Sequence, residues 1–184
     1  MPVTEFASLA LGPAYYLTHP CVTSFFQKLA KWQSEASGYP LFFYSPPASD
    51  EEIYLISGWA SVSAHHTWIA SDRNQELLRM AEEMLEVRDF LHLDVDFDEV
   101  FGRVIRPNGE GRSSLLWEVW RGEEDALKEV SRLKGRAFSV VAGQDAEGKR
   151  RELYLFSGMD AGEDGLQVGR VRRAMRTELC RVQF

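Results

Sequence analysis

Two stretches decide how this chain is read: Glu52–Gly58, EIYLISG, and Glu152–Gly158, ELYLFSG, one hundred residues apart and identical at five of seven positions. The two exchanges, Ile53 for Leu153 and Ile56 for Phe156, keep the apolar character. Self-similarity at a fixed spacing marks a structural unit written twice. Each copy is a short apolar run ended by glycine, which suits a largely buried strand.

Around the first copy the pattern extends both ways. Thr4–Leu11 reads as a strand closed by Gly12-Pro13. Thr18-His19-Pro20 opens a helix, with Thr18 the expected cap and Val22, Phe25, Phe26 and Leu29 on one face. Tyr39–Ser45 and Ile53–Trp59 flank Pro46-Pro47 and predict a hairpin. A short helix is expected over Ser63–Ile69, carrying His65, His66 and Trp68. A longer one starts near Ser71-Asp72, with Leu77, Leu78, Ala81, Met84 and Leu85 inward. Asp89–Phe97 alternates and is expected as the fourth strand. Strand–helix–strand–strand–helix–strand is the order of a ferredoxin-like unit.

The second copy repeats this order in less space. Strands are expected at Ser114–Trp120, Ala137–Ala142, Glu152–Gly158 and Glu178–Phe184, and helices at Glu123–Leu133 and Gln167–Arg176. The last helix would place Arg170, Arg172, Arg173 and Arg176 as an anion patch or as partners of the acidic first half. Arg106-Pro107-Asn108-Gly109 lies within a linker, so the expected organisation is 1–100, linker 101–112, and 113–184. Two such units would each bury a bare sheet face against the other. The predicted fold class is therefore α+β: two tandem ferredoxin-like βαββαβ units forming an intramolecular, pseudo-dimeric α+β barrel.

The 184 residues include 11 Phe, 5 Trp and 6 Tyr, enough for a substantial core. A formal net charge of −7 argues against binding nucleic acid through phosphate neutralisation. The charge is uneven, net −10 through Glu99 and +3 beyond it, so opposite-signed halves steer docking or simply present different solvated faces. Two cysteines, Cys21 and Cys180, make no disulfide framework and no metal spacing. No signal peptide or membrane span is legible, and a cytoplasmic protein is expected. Phosphate loops, nucleophile elbows and zinc spacings are likewise absent from the sequence.

The segment GWASVSAHHTWIASDRNQELL, followed by FLHLDVDFD, resembles the dimeric α+β barrel superfamily, and within it the antibiotic-biosynthesis-monooxygenase-like proteins of tandem-copy, fungal type. The residues that carry the likeness are Trp59, Ser61 and the run Trp68-Ile69-Ala70-Ser71. It is specific over Glu52–Asp98 and topological in the second half. Members include cofactor-free oxygenases, polyketide cyclases and haem-degrading enzymes, so the likeness does not fix the chemistry. Haem-degrading members place an iron-binding His where this chain has Leu78. Cyclases use a Tyr where Trp68 stands and a His near Asn74. The oxygenase branch lines its cavity with Trp, Tyr, Asn and Arg, to which Trp59, Trp68, Asn74, Arg73 and Arg79 correspond.

Spacing puts Ser61, His65 and Trp68 on one helix face and His66 about 100° round. His65 is a candidate general base, or else a partly exposed imidazole without a partner. His92 alternates with Asp94, and a His–Asp pair inside a barrel would raise the imidazole pKa; the alternative is a polar barrel-edge cluster. The expected catalytic residues are His65, His92 and Asp94, and the expected substrate contacts Trp59, Trp68, Tyr44, Asn74 and Tyr15. The resemblance implies a cofactor-independent tailoring enzyme without metal. It would act by oxygenation, cyclisation or related proton transfer on a small aromatic or polyketide-like molecule, as a monomeric pseudo-dimer or homodimer without nucleic-acid or membrane partners. The rival readings are a non-catalytic small-molecule-binding or stress-associated barrel and a self-associating scaffold.

Overall fold

A computed structural model describes residues 1–102, 114–122, 125, 127–128, 140–157 and 171–184. The strands are β1 Val3–Leu11, β2 Phe42–Ser45, β3 Glu52–Trp59, β4 Leu85–Leu93, β5 Ser114–Gly122, β6 Val140–Gln144, β7 Glu152–Ser157 and β8 Val171–Val182. The helices are α1 Pro20–Ser37, α2 Val62–Ile69, α3 Asp72–Ala81 and the single turn α4 Phe97–Val100. No described helix is long and apolar enough to cross a membrane.

All eight strands form one antiparallel sheet in the order β4-β1-β3-β2-β8-β5-β7-β6. Two quartets follow one another, each ordered fourth-first-third-second, and the repeated heptapeptides are β3 and β7, third in each. The local chemistry repeats too. Tyr54 donates to Glu52 Oε2 at 3.5 Å, and Tyr154 donates to Glu152 Oε2 at 2.6 Å. The two outer strands also meet. Leu93 bridges Asp145, Asp94 N–H donates to the Gln144 carbonyl at 2.9 Å, and Ala146 N–H donates to the His92 carbonyl at 2.7 Å.

Alternation along the strands sorts side chains into two cores. Phe6, Phe42, Tyr44, Ile56, Leu91 and Leu93 join Leu115, Trp117, Val119, Tyr154 and Phe156 in one cluster drawn from both quartets. Val3, Ala7, Leu9, Leu11, Phe43, Ile53, Leu55 and Trp59 face the other way, under Val22, Phe25 and Phe26 of α1, Trp68 of α2 and Leu77 of α3. Gly58 stands on the first face because a Cβ there would lie 2.5 Å from Phe97 Cβ.

Several boundaries differ from the sequence expectation. His19, not Thr18, caps α1: its Nδ1 accepts from Cys21 N–H at 3.2 Å, and Pro20 follows at N1. Gly38 ends the helix at φ 80°. β2 starts at Phe42 rather than Tyr39, and Leu78 is exposed. β4 ends at Leu93 rather than Phe97, because Asp96 caps α4 with its carboxylate on Asp98 N–H at 3.0 Å. Val171–Arg176 is strand, not helix: β8 pairs along β5 and then β2, so helical spacing does not relate its arginines. Residues 167–170, the linker 103–112, Ala137–Phe138–Ser139 and most of Glu123–Leu133 lie outside the described residues.

Candidate active site

β1 carries Glu5 on the helix-facing side, in line with Val3, Ala7, Leu9 and Leu11. Its cross-strand partners are Ser57 of β3 and His92 of β4. Glu5 is only 4% exposed. Its Oε2 accepts from Gln33 Nε2 at 2.6 Å and from Trp59 Nε1 at 2.7 Å. Burial raises its pKa to about 7, against the lowering effect of those two donors. A carboxyl in that range can give or take a proton near neutrality.

His65 reaches the same spot from α2. Ser61 caps that helix by accepting from Ala64 N–H at 3.1 Å, and Ser71 caps α3 by accepting from Asn74 N–H at 3.3 Å. Both serines are thus helix caps. The His65 ring stacks on Trp59, centroids 4.3 Å apart and planes 9° apart. Its Nε2 lies 3.7 Å from Glu5 Oε1, and its Nδ1 lies 2.9 Å from His92 Nε2. His92 Nδ1 in turn lies 3.2 Å from Glu147 Oε2, in the β6–β7 turn.

These contacts fix the tautomers by elimination. A carboxylate only accepts, so His92 carries its hydrogen on Nδ1 and offers a lone pair at Nε2. His65 then donates from Nδ1 and turns the lone pair of Nε2 towards Glu5. Both rings are neutral in this scheme. Burial, and after it the proximity of His92, lowers the His65 pKa to about 3. Burial lowers that of His92, while its bond to Glu147 pulls the other way. That bond also holds the Glu147 carboxyl below its usual range.

Glu5, Gln33 and His65, with Asn74 and Glu82, supply the polar lining of a cavity of about 320 Å³ between the sheet and α1, α2 and α3. Ala7, Leu9, Phe25, Leu29, Trp68, Leu77 and Phe90 supply an apolar wall. An apolar pocket with a few convergent polar groups is the usual form of a small-molecule site. A second hollow, about 350 Å³, lies on the other face of the sheet beside Tyr54, Tyr154, Asp89 and Arg150. There Arg150 Nη1 donates to Asp89 Oδ2 at 2.7 Å, and the acid and base neutralise each other.

The structure brings together part of the expected set. His65, Trp68 and Asn74 line the cavity, and Asn74 Nδ2 donates to the Ile69 carbonyl at 3.1 Å. His92 and Trp59 stand just behind the wall, through His65 and Glu5. His66 is exposed. Asp94 is no partner of His92: β4 has ended, and the Asp94 carboxylate accepts from Gln144 N–H. The carboxylate beside His92 is Glu147. Tyr44 belongs to the other core, fully buried, its hydroxyl without a partner among the described residues. Tyr15 packs edge-on against His19 rather than lining the cavity. Arg73 pairs with Glu35 at 2.9 Å on the surface and, like Arg79, is not among the lining residues.

Glu5, Gln33 and Glu147 were not singled out from the sequence. The signal for Glu5 was available: in Val3–Leu11 it is the one carboxylate on an otherwise apolar alternating face. Among the described residues, one group of metal-ligand type converges, His66, His92 and Glu147.

No protein-family model matches the chain, and no curated protein matches it. Solved structures do. A protein of Fusobacterium nucleatum provisionally named a monooxygenase superposes with a TM-score of 0.67 over 99% of this chain and 93% of its own, at 9% identity. One from Lactobacillus acidophilus, named in the same provisional way, gives 0.60 over 98% and 93% at 11% identity. A haem-binding protein of Thermus thermophilus gives 0.59 over 99% and 91% at 9% identity. At such identities the likeness establishes the fold alone, over nearly the whole chain.

Proposed function

We propose that this protein is an oxygenase-like enzyme acting without bound cofactor on a small aromatic or polyketide-like molecule held in the cavity between sheet and helices. The observation that carries the reading is Glu5, a buried carboxyl with its pKa near 7 at the wall of an apolar pocket. A phenol or acidic C–H placed there gives its proton to the Glu5 carboxylate, leaving the substrate as an electron-rich anion. Such an anion is the species that reacts with dioxygen or closes a ring without further help. Gln33 and Trp59 hold the carboxyl in place, and His65 offers it a neutral ring. Those three are positioning residues. Trp68 and Phe90 supply aromatic surface for the ring.

Haem does not fit this pocket. Its one imidazole, His65, is committed on both sides, to His92 and towards Glu5, and Leu78 stands where a haem-degrading relative carries the iron-binding His.

The finer architecture goes with this reading. The quartets are taken as tandem copies, 1–100 and 113–184, joined by 101–112 and wrapped into a single-chain barrel. The matching strand orders and the backbone bonds between the two outer strands support it.

The test is a panel of polycyclic phenols, with oxygen uptake and ligand fluorescence followed together. Glu5→Gln is expected to lower turnover at least a hundredfold while binding stays within a few-fold. Ala7→Phe, which fills the pocket, is expected to lose both. Binding by wild type and Glu5→Gln with no turnover by either is the signature of the rival, a non-catalytic small-molecule binder. Full turnover by Glu5→Gln removes Glu5 from the chemistry.

A further inference from the structure

We propose that His66, His92 and Glu147 form a binding site for a divalent transition-metal ion of the zinc class, at the place where β4 meets the β6–β7 turn. The donor atoms of the three side chains lie within 4.8 Å of one another. His92 Nδ1 and Glu147 Oε2 are 3.2 Å apart, and His66 Nε2 and Glu147 Oε1 are 3.9 Å apart. Zinc bonds of about 2.0–2.1 Å in tetrahedral array put neighbouring ligand atoms roughly 3.3 Å apart. One pair already has that spacing. His66, on the exposed side of α2, needs only a modest swing to close the second.

The frame that holds these ligands is rigid. His92 is fully buried on β4, and its carbonyl accepts from Ala146 N–H, which ties the turn to the strand at the site. The Asp145 carboxylate accepts from the backbone N–H groups of Glu147, Lys149 and Arg150 at 3.0, 2.9 and 3.0 Å, so the loop bearing Glu147 is held from within.

The surrounding shell also suits a metal. A ligating histidine ordinarily donates its other ring N–H to a fixed acceptor. His92 Nε2 faces His65 Nδ1 at 2.9 Å. With metal on His92 Nδ1, the hydrogen moves to Nε2, His65 accepts it at Nδ1, and His65 then turns an N–H rather than a lone pair towards Glu5. The ion would therefore reverse the hydrogen bonds between the surface and the cavity. Lys149 Nζ sits 3.1 Å from Glu147 Oε1, so the carboxylate already draws a cation, and the exposed lysine is free to swing away. Two imidazoles and one carboxylate favour zinc, copper or nickel over calcium or magnesium, which prefer oxygen alone. Three protein ligands leave a fourth position to solvent.

The test uses the full chain, stripped with chelator, and zinc chloride alone as probe, at pH 7.5 in a calorimeter. One equivalent is expected to bind with a Kd on the order of 1 µM or below. His66→Ala, at an exposed position, and Glu147→Gln, at a half-buried one, are each expected to weaken it at least tenfold with an unchanged circular-dichroism spectrum. Cobalt is expected to give visible absorption bands that His66→Ala abolishes. Cys21 is an exposed thiol two residues from the half-buried imidazole of His19 and forms the rival zinc-ligand pair with it, so a His19→Ala/Cys21→Ser double variant is expected to bind like wild type. No heat at about 100 µM zinc, wild-type affinity in both site variants, or loss only in the His19/Cys21 variant would each overturn the proposal. The measurement needs no substrate. Its outcome is thus separate from that of the proposed enzymatic role.

Discussion

Replacing Glu5 by Gln tests whether the cavity wall holds a titrating acid. The side chain keeps its shape and its acceptor oxygen for Gln33 and Trp59, but it can no longer ionise. Raising a carboxyl from 4.5 to about 7 on folding corresponds to about 3 kcal/mol, at roughly 1.4 kcal/mol per pH unit. The folded protein holds this proton more tightly than the unfolded chain. The contribution is therefore fully present below pH 4.5, declines between 4.5 and 7, and is gone above that. His65 works in the opposite direction: its pKa is depressed by burial, so stability is lost as pH falls below 6.5, where the unfolded chain takes up the proton. The two trends partly cancel in the wild type, so its own pH profile decides little. The difference between Glu5→Gln and wild type isolates the acid, because the imidazole is common to both. Urea unfolding at half-unit steps from pH 5 to 8 is the assay. The variant is expected to gain on the wild type by about 3 kcal/mol between the acid and alkaline ends, most of it above pH 5. Two parallel curves, with a difference constant to within about 0.5 kcal/mol, would refute the buried-acid reading.

Two other substitutions probe the supports of the site. Trp59→Phe removes one of the two donors to the Glu5 carboxylate; it is expected to push the Glu5 titration above 7 in carbon-detected NMR and to cost about 1–2 kcal/mol. Gly58→Ala places a methyl 2.5 Å from Phe97 Cβ and 2.7 Å from the Tyr39 ring; thermal unfolding is expected to show a loss of about 1–3 kcal/mol or more, with β3 and α4 pushed apart.

The repeated heptapeptide made the sheet legible, because buried strands announce themselves through apolar runs and their repetition fixes where each strand belongs. β3 and β7 stand in corresponding places for that reason. Strand ends were less legible. Asp94 and Asp96 continue the alternation of Asp89–Leu93 on paper, yet their carboxylates bond backbone N–H groups, which ends pairing and starts a turn. The arginine-rich Val171–Arg176 has helical spacing, but long-range pairing with β5 overrides local preference. At the site, helical periodicity correctly grouped His65 with Trp68. The partners of His65 come from β1 and β4, and that of His92 from a turn 55 residues further along the sequence, which no local pattern can bring together. Glu5 was the exception, visible as a charge on an apolar face.

The sheet itself supplies a control for whether Glu5 is demanded by the fold. Glu5 pairs with Ser57 of EIYLISG, and Leu116 pairs with Ser157 of ELYLFSG. The equivalent place in the second quartet is filled by a buried leucine. An apolar residue thus satisfies this position in the sheet, and a buried ionisable network is often no more stable than the apolar packing that could replace it. Glu5→Leu alone is expected to be poor, since Gln33 and Trp59 would each keep a buried donor without an acceptor, at about 1–3 kcal/mol apiece. Removing the donors as well, in Glu5→Leu/Gln33→Leu/Trp59→Phe, is expected to recover stability to at least the wild-type level at pH 8, where the wild type bears a buried charge. Turnover is expected to stay absent throughout. If the triple variant is less stable than Glu5→Leu by itself, the network holds the fold together, and its place beside the cavity is no argument for catalysis.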